Sequence, residues 1–223
     1  MKKILLAILS SAVICHAFAD NIPVKEGTDY TVLSGPISKP LPAKAGKVNV
    51  TEFYSYACIH CSILEPTLDK WYAGTKNVDL NRIQVVWENN FSGYAKINAT
   101  AQALNLGTQF NQQVFNATMT EHKNLEDKTQ LQTFLNANKS IVDPKKFMAT
   151  YNSFAVSTKP QEYAQYTTAY NITGTPTFIV GNKYVTSPAQ PEQLIKVIQA
   201  LVDKVKKEQK IKLVIESNYY KQY

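Results

Sequence analysis

The feature that most constrains this chain is a pair of cysteines, Cys58 and Cys61, that sits between two predicted elements. Residues 47–56 are rich in β-branched and aromatic side chains, which predicts a strand. Apolar residues then recur at helical spacing: Leu64, Leu68, Trp71 and Tyr72. We therefore expect the cysteines at the N-terminus of a helix, where unpaired backbone N–H groups and the helix dipole favour negative charge.

Two further strands are predicted around this unit. Residues 30–33 favour a short strand, and residues 82–87 favour a buried one. A strand, a helix and a second strand in succession predict a right-handed crossover and a parallel pair.

The rest of the chain changes from helical to β-rich character and back. Residues 93–170 have helical periodicity and almost no strand signal, and this block is too long to be a loop. Residues 177–180 and 184–186 flank a Gly-Asn pair, which predicts a hairpin, and a last helix begins near Pro191. The fold class is α/β with an inserted all-helical subdomain.

The first 19 residues have the pattern of a cleavable signal peptide. Lys2 and Lys3 precede an apolar run too short for a permanent membrane span, and Ala17-Phe18-Ala19 matches the small-x-small cleavage rule. The alternative is an uncleaved anchor. We expect export to the periplasm and a mature chain that starts at Asp20.

Cysteine usage narrows the chemistry. With Cys15 removed in the signal peptide, only Cys58 and Cys61 remain, in a compartment where disulfides persist. A disulfide that closes so small a ring stabilises little, because the gain grows with loop length. Thiol–disulfide exchange is therefore favoured over the alternative of an incidental crosslink.

Other uses of the pair lack the residues they need. A closed zinc site takes about four ligands, and only His60 and His122 accompany the thiols in the mature chain. Haem attachment needs histidine directly after the second cysteine, where Ser62 stands. We predict neither a metal nor another cofactor. The formal charge of +7 comes from scattered lysines without aromatic interleaving, so no nucleic-acid partner is expected.

The expected helix start assigns roles to the two sulfurs. Cys58, at the N-terminus, is predicted to attack, and the more shielded Cys61 to resolve the mixed disulfide. His60 adds a hydrogen-bond donor beside the Cys58 thiolate, although an ordinary surface histidine is the alternative.

Glu52 has two interpretations that spacing alone leaves open. It shares a strand face with Val48 and Val50, so it can lie buried beneath the cysteines and accept the proton of Cys61 through a raised pKa. It can equally be a partly exposed strand residue paired with Arg82 or a lysine.

Three stretches together resemble the periplasmic DsbA oxidases of the thioredoxin superfamily. Residues 51–61, TEFYSYACIHC, resemble their active-site strand and helix start. Residues 174–184, with Gly174-Thr175-Pro176, look like their cis-proline loop and hairpin, and residues 27–33 like their first strand. The resemblance implies a thioredoxin fold, a central mixed sheet with flanking helices, divided into residues 20–92 and 171–223 around the insert at 93–170.

The resemblance also implies roles for site residues. Pro176 would be cis and pack against the disulfide, and Thr175 would offer its backbone to an extended substrate. Glu52 would be the buried acid, with Arg82 in place of a common lysine. The family is known for a very low pKa of the attacking cysteine and an oxidising disulfide.

The implied partners are reduced or unfolded exported proteins and a DsbB-like, quinone-linked membrane reoxidase.

Two positions depart from the best-known members: Ile59 replaces a proline and Thr175 a valine, both beside the sulfurs and the substrate. The alternatives are therefore a disulfide isomerase or reductase, and a non-catalytic chaperone or binding module. The segment before the first strand is too short for the dimerisation domain of dedicated isomerases, so a monomer is expected.

Overall fold

The computed structural model describes residues 23–35, 37–87 and 90–219, with side chains up to residue 210. The predicted signal peptide, residues 1–19, lies outside this part of the chain. Within the described residues, no helix has the length and apolar character needed to cross a membrane.

The chain forms five strands and eight helices over these residues. The strands are β1 (Tyr30–Val32), β2 (Val48–Tyr54), β3 (Val78–Gln84), β4 (Thr177–Val180) and β5 (Tyr184–Thr186). The helices are α1 (Ile59–Ala73), α2 (Ser92–Ala103), α3 (Gly107–Phe115), α4 (Lys128–Ala137), α5 (Pro144–Tyr151), α6 (Phe154–Ser157), α7 (Lys159–Ala169) and α8 (Pro191–Tyr219). A π-helical turn, Asn116–Thr120, extends α3.

The sheet is mixed, in the order β1-β5-β4-β2-β3. β2 and β3 are parallel, which confirms the predicted parallel pair, and the other pairs are antiparallel. The predicted strand at residues 82–87 was placed too late, because pairing with β2 ends at Tyr54 opposite Gln84. Polar Asp79 and Asn81 interrupt the apolar pattern of β3 and conceal its start from sequence analysis.

Helices cover both faces of the sheet, so every residue of β2 is buried. On one face Val48 and Val50 pack with Leu64 and Leu68 of α1 and with the apolar stripe of α8. On the other face Phe53 packs with residues of β3, β4, α2 and α7. Burial of each large apolar side chain contributes about 1.5–3 kcal/mol, so this packing fixes β2 and the segment that follows it.

Helices α2 to α7 lie between β3 and β4 in the chain, in the block predicted as an insert. Phe110, Phe134 and Phe147 form the centre of its core. The same core includes Tyr56 and Cys61, so the helical block packs directly against the active-site segment. The division of the chain at residues 92 and 170 stays a prediction.

The predicted hairpin is confirmed between β4 and β5. Gly181 and Asn182 both have positive φ, 63° and 56°, which the tight turn requires. A side chain at Gly181 would lie 2.6 Å from a methyl group of Val205 in α8. The turn therefore packs closely against the last helix and sets the position of β4.

Candidate active site

Cys58 and Cys61 lie at the start of α1, where their spacing predicts them. Cys58 is the N-cap residue, and its N–H donates to the Ser55 carbonyl at 3.0 Å, which closes the turn between β2 and α1. Both are free thiols in this structure, with Cys58 partly exposed and Cys61 buried. One sulfur thus faces outward and the other lies inside.

The surroundings of Cys58 favour its thiolate. Its pKa is lowered from 9.0 to about 5, first by a hydrogen bond from the Cys61 thiol, then by the Thr175 side chain and by the N–H groups of Cys61 and His60. Partial burial opposes this shift. The backbone N–H groups belong to the first turn of α1, where they have no partner within the helix.

The surroundings of Cys61 have the opposite effect. Burial, above all, raises its pKa, and the hydrogen bond to Cys58 and the charge of Glu52 raise it further. Two thiols one helical turn apart therefore differ in charge: Cys58 is a thiolate at neutral pH, and Cys61 holds its proton.

The two residues between the cysteines face solvent. The Ile59 side chain is 51% exposed, and His60 is also exposed. His60 lowers the pKa of Cys58 through its backbone N–H, while its side chain lines a groove beside the cysteines. A role for the imidazole in thiolate stabilisation stays a prediction.

The loop before β4 lies directly against Cys58. The Thr175–Pro176 peptide bond is cis, and Sγ of Cys58 lies 3.4 Å from the Thr175 carbonyl oxygen, to which Cys58 donates only in its protonated form. The pairing of Thr177 with Phe53 of β2 anchors this loop beside the start of α1. Sheet register therefore brings together two segments that are far apart in the chain.

Glu52 is buried, as one interpretation predicts, and lies beside Arg82, as the other predicts, but the partial exposure expected in the second interpretation is wrong. Its side chain is 1% exposed, and Oε2 lies 3.3 Å from Nε of Arg82. Burial raises the pKa of Glu52 to about 8, although Arg82 opposes the shift. Neither oxygen of Glu52 has a hydrogen-bond partner among the described residues.

Two acidic residues that sequence analysis missed complete this cluster. Arg82 also contacts Glu65, from Nη1 to Oε1 at 2.5 Å, and Asp69, from Nη2 to Oδ1 at 2.9 Å. Glu65 and Asp69 are four residues apart on α1, so they share one helix face beside the buried leucines. This four-residue spacing is the sequence signal from which the pair could have been recognised.

A buried amide, Gln84, also escaped sequence analysis because it looked like an ordinary strand residue. Its Oε1 accepts from the N–H of Tyr56 at 2.9 Å, and its Nε2 donates to Ser55 Oγ at 3.2 Å. The hydroxyl of Thr118, in the π-helical turn, donates to the Tyr56 carbonyl at 2.7 Å. Strand β3 and the helical block thereby hold the segment that leads to Cys58.

A groove of about 800 Å³ runs beside the cysteines. Its walls include His60 and Ile63 of α1, the Thr175–Pro176 loop and Leu194 of α8. None of the described residues that line it is Asp, Glu, Lys or Arg. Across the described part of the chain, no group of three or more His, Cys, Asp or Glu side chains is arranged to hold a metal ion.

Comparison with known proteins agrees with this geometry. The model of the DSBA-like thioredoxin domain matches residues 73–199, more than half of the chain. The chain is 35% identical over 216 residues to a thiol:disulfide interchange protein DsbA from Burkholderia cepacia, covering 96% of this chain and 100% of that protein. The DsbA from Pseudomonas aeruginosa is 30% identical over 205 residues, with 90% and 95% covered.

A solved structure supports the same assignment. The oxidoreductase NmDsbA1 from N. meningitidis superposes with a TM-score of 0.74 at 34% identity, covering 83% of this chain and 96% of that one. Sequence, fold and the paired thiols at a helix N-terminus agree. The chain belongs to the DSBA-like thioredoxin domain family and is a thiol–disulfide oxidoreductase.

Proposed function

We propose that this enzyme donates the Cys58–Cys61 disulfide to secreted or periplasmic proteins as they fold. The observation that carries the proposal is the contrast between the two sulfurs. Cys58 is partly exposed with a pKa of about 5, and Cys61 is buried with a raised pKa. A stable Cys58 thiolate favours the reduced pair, and a favoured reduced pair makes the disulfide a good oxidant.

In the first step, a substrate thiolate attacks the sulfur of Cys58. A substrate–Cys58 disulfide forms, the Cys58–Cys61 bond breaks, and Cys61 leaves with the electron pair. Because the pKa of Cys61 is raised, this sulfur takes a proton, and Glu52 with a pKa of about 8 is a donor at neutral pH. No hydrogen bond joins Glu52 to either sulfur in the described structure, so the proton needs an intermediary such as water.

In the second step, another substrate thiolate attacks the substrate sulfur of the mixed disulfide. The substrate disulfide forms, and Cys58 leaves as the thiolate that its surroundings stabilise. The substrate has lost two electrons and two protons. At neutral pH Cys61 ends with one of these protons, through Glu52, and solvent receives the other.

The uncharged groove beside Cys58 is the proposed substrate surface. Ile63, which is 56% exposed, lines this groove, and Ile59, which is 51% exposed, lies between Cys58 and His60 in the chain. These exposed apolar side chains suit an extended, unfolded peptide. Thr175 offers backbone to the substrate, Pro176 packs against the disulfide, and the His60 imidazole supports the Cys58 thiolate.

The proposed compartment is the periplasm, reached through cleavage of the signal peptide at residues 1–19. The proposed reoxidising partner is a DsbB-like membrane protein, which accepts two electrons from the reduced pair and passes them to quinone. The enzyme is proposed to act as a monomer. The relatives named DsbA support the thiol-exchange role.

A second candidate is disulfide isomerisation or reduction by the same pair. Thr175 favours it, because disulfide isomerases and reductases share threonine at this position. That function requires a partner that keeps the cysteines reduced, and it predicts recovery of scrambled substrates.

The deciding experiment mixes the oxidised protein with a reduced dithiol peptide and follows disulfide formation. We expect rapid oxidation by the wild type and complete loss of activity in Cys58→Ala. Cys61→Ala, which has no disulfide to donate, should instead capture a single-cysteine peptide supplied as its glutathione disulfide, forming a stable peptide–Cys58 disulfide as glutathione thiolate leaves. An unchanged rate in Cys58→Ala would contradict the proposed function. Efficient reshuffling of a scrambled protein with little net oxidation would favour the isomerase.

A further inference from the structure

Arg82 is shared unequally among three carboxylates. Its terminal nitrogens bond to two residues of α1: Nη1 to Glu65 at 2.5 Å and Nη2 to Asp69 at 2.9 Å. Glu52 receives only the Nε contact, at 3.3 Å and without hydrogen-bond geometry. The two hydrogen bonds to α1 therefore fix both terminal nitrogens of the guanidinium, and Glu52 has only a weaker ionic contact with Nε.

One positive charge cannot balance three negative ones in a buried cluster, so at least one carboxyl takes a proton, which lowers the net charge of the cluster from −2 to −1. The three differ in access to solvent: Asp69 has 13% of its side chain exposed, Glu65 3% and Glu52 1%. Asp69 and Arg82 also border a cavity of about 450 Å³ on the side of α1, α2 and α3. Glu52 is the most buried of the three and has no hydrogen bond to Arg82, so the proton belongs on Glu52.

The groups around Glu52 contain few other charges. Among the described residues, α1 contributes Cys58, Cys61, Glu65 and Asp69, β3 contributes Arg82, and β2 contributes Tyr54. Helices α2 and α3 approach the cavity with uncharged amides, Asn98, Gln102 and Asn111, and the lysine that lines it, Lys44, forms an ion pair with Asp79. Burial is the largest cause of the raised pKa of Glu52, and the charge of Arg82 is the largest effect that opposes it. How the neighbouring carboxylates divide the charge of Arg82 therefore decides how far the effect of burial is offset.

We propose that Asp69 is a positioning residue for thiol exchange: by binding Arg82 from α1, it keeps the guanidinium from neutralising Glu52 and leaves Glu52 able to hold a proton at neutral pH. This inference rests on the proposed function, in which Glu52 exchanges a proton with Cys61. Asp69 touches neither the sulfurs nor the substrate surface. Asp69 acts through Arg82. The proton that therefore stays on Glu52 is the one that Cys61 takes when the Cys58–Cys61 bond breaks.

The test is a carbon-13 NMR titration of the Glu52 carboxyl in the full mature chain, with the signal assigned through Glu52→Gln. In Asp69→Asn, which keeps the shape and one oxygen but removes the charge, Arg82 is freed toward Glu52. We expect the Glu52 midpoint to fall by about one pH unit or more. Asp69→Glu, which keeps the negative charge, should keep the Glu52 midpoint close to its wild-type value.

The matched control is Asp79→Asn, which removes another acidic residue of low exposure whose partner is Lys44 rather than Arg82. We expect the Glu52 midpoint to stay unchanged there. If Asp69→Asn folds poorly, Asp69→Ser provides the same loss of charge. A Glu52 midpoint that is the same in the wild type, in Asp69→Asn and in Asp69→Ser would overturn the proposal.

Activity then separates this inference from the function on which it rests. As pH rises, the rate at which Asp69→Asn oxidises the dithiol peptide should begin to fall at a lower pH than in the wild type. The difference between the two pH values should match the change in the Glu52 midpoint measured by NMR. A shifted midpoint with an unshifted rate profile would overturn the link to thiol exchange. Oxidising activity retained by Cys58→Ala would refute the proposed function instead. The effect of Asp69 on the Glu52 midpoint, measured by NMR, would not depend on that outcome.

Discussion

At the residue scale, Cys58 and Cys61 are the same chemical group in two environments. Backbone N–H groups, the Cys61 thiol and the Thr175 side chain surround Cys58, whereas burial dominates at Cys61. The contrast arises because α1 begins at this point of the chain and turns the second cysteine into the core.

Replacing Thr175 with valine tests the contribution of its hydroxyl. The Thr175 side chain lowers the pKa of Cys58, so Thr175→Val should raise that pKa above about 5, by roughly half to one unit. Ultraviolet absorbance of the thiolate as a function of pH measures it. Thr173→Val, at an exposed position in the same loop, should leave the titration unchanged. Equal midpoints for Thr175→Val and the wild type would contradict this account.

The raised pKa of Glu52 predicts a dependence of stability on pH. Its pKa rises from 4.5 to about 8 on folding, so its contribution to stability is fully present below 4.5 and is lost as pH rises through 8. Relative to the wild type, Glu52→Gln should gain roughly 2–4 kcal/mol in free energy of unfolding between pH 5 and pH 9. Urea denaturation at both pH values measures this gain.

The control is Glu192→Gln, at an exposed position in the first turn of α8. Its effect should be small and equal at pH 5 and pH 9. If the difference in free energy of unfolding between Glu52→Gln and the wild type were also the same at pH 5 and pH 9, Glu52 would have an ordinary pKa in the folded protein.

At the element scale, the sheet brings the site together. Antiparallel pairing of β4 with β2 carries the Thr175–Pro176 loop to the start of α1, and the tight hairpin against α8 fixes where β4 lies. Changes in the hairpin therefore affect the stability of the element that supports the active site.

Gly181→Ala should be strongly destabilising for two reasons. Its φ of 63° strains any side chain, and a Cβ there would lie 2.6 Å from Val205. We expect a loss of roughly 2–4 kcal/mol in the free energy of unfolding, measured by urea denaturation. Gly46→Ala, with φ of 74° but open space around it, should lose only about 1–2 kcal/mol. Equal losses would show that contact with α8 is unimportant.

Sequence analysis located the elements that depend on local signals. The strand before Cys58, the helix after it and the Gly181-Asn182 turn follow from periodicity and turn chemistry. The Arg82 cluster does not, because it depends on the reach of one side chain from β3 to α1. Gln84 was missed for a similar reason: its partners Ser55 and Tyr56 become neighbours only when β2 and β3 pair.

At the scale of the whole molecule, the low pKa of Cys58 couples redox state to stability. The reduced fold holds a thiolate whose pKa falls from 9.0 to about 5, so this stabilisation is present above pH 9 and is lost as pH falls through 5. The oxidised fold has no such group. The raised pKa of Cys61 opposes the effect only near and above pH 9, where that thiol ionises in the unfolded chain.

We therefore expect the free energy of unfolding of the reduced protein, minus that of the oxidised protein, to rise by roughly 2 kcal/mol between pH 5 and pH 8, with allowance for the partial exposure of Cys58. Parallel denaturation curves of the two forms measure it. Cys58→Ala cannot form the disulfide, so its free energy of unfolding is compared with that of the oxidised wild type, and this difference should not rise between pH 5 and pH 8. A difference that does not change with pH would contradict a depressed Cys58 pKa.

The redox potential of the Cys58–Cys61 couple tests the central claim most directly. It is obtained by equilibrating the protein with glutathione buffers and reading the fraction of reduced thiols. A disulfide donor with a stabilised Cys58 thiolate should have a potential higher than roughly −200 mV, so that it oxidises most substrate thiols. A potential near about −270 mV, the value of reducing thioredoxins, would contradict the account.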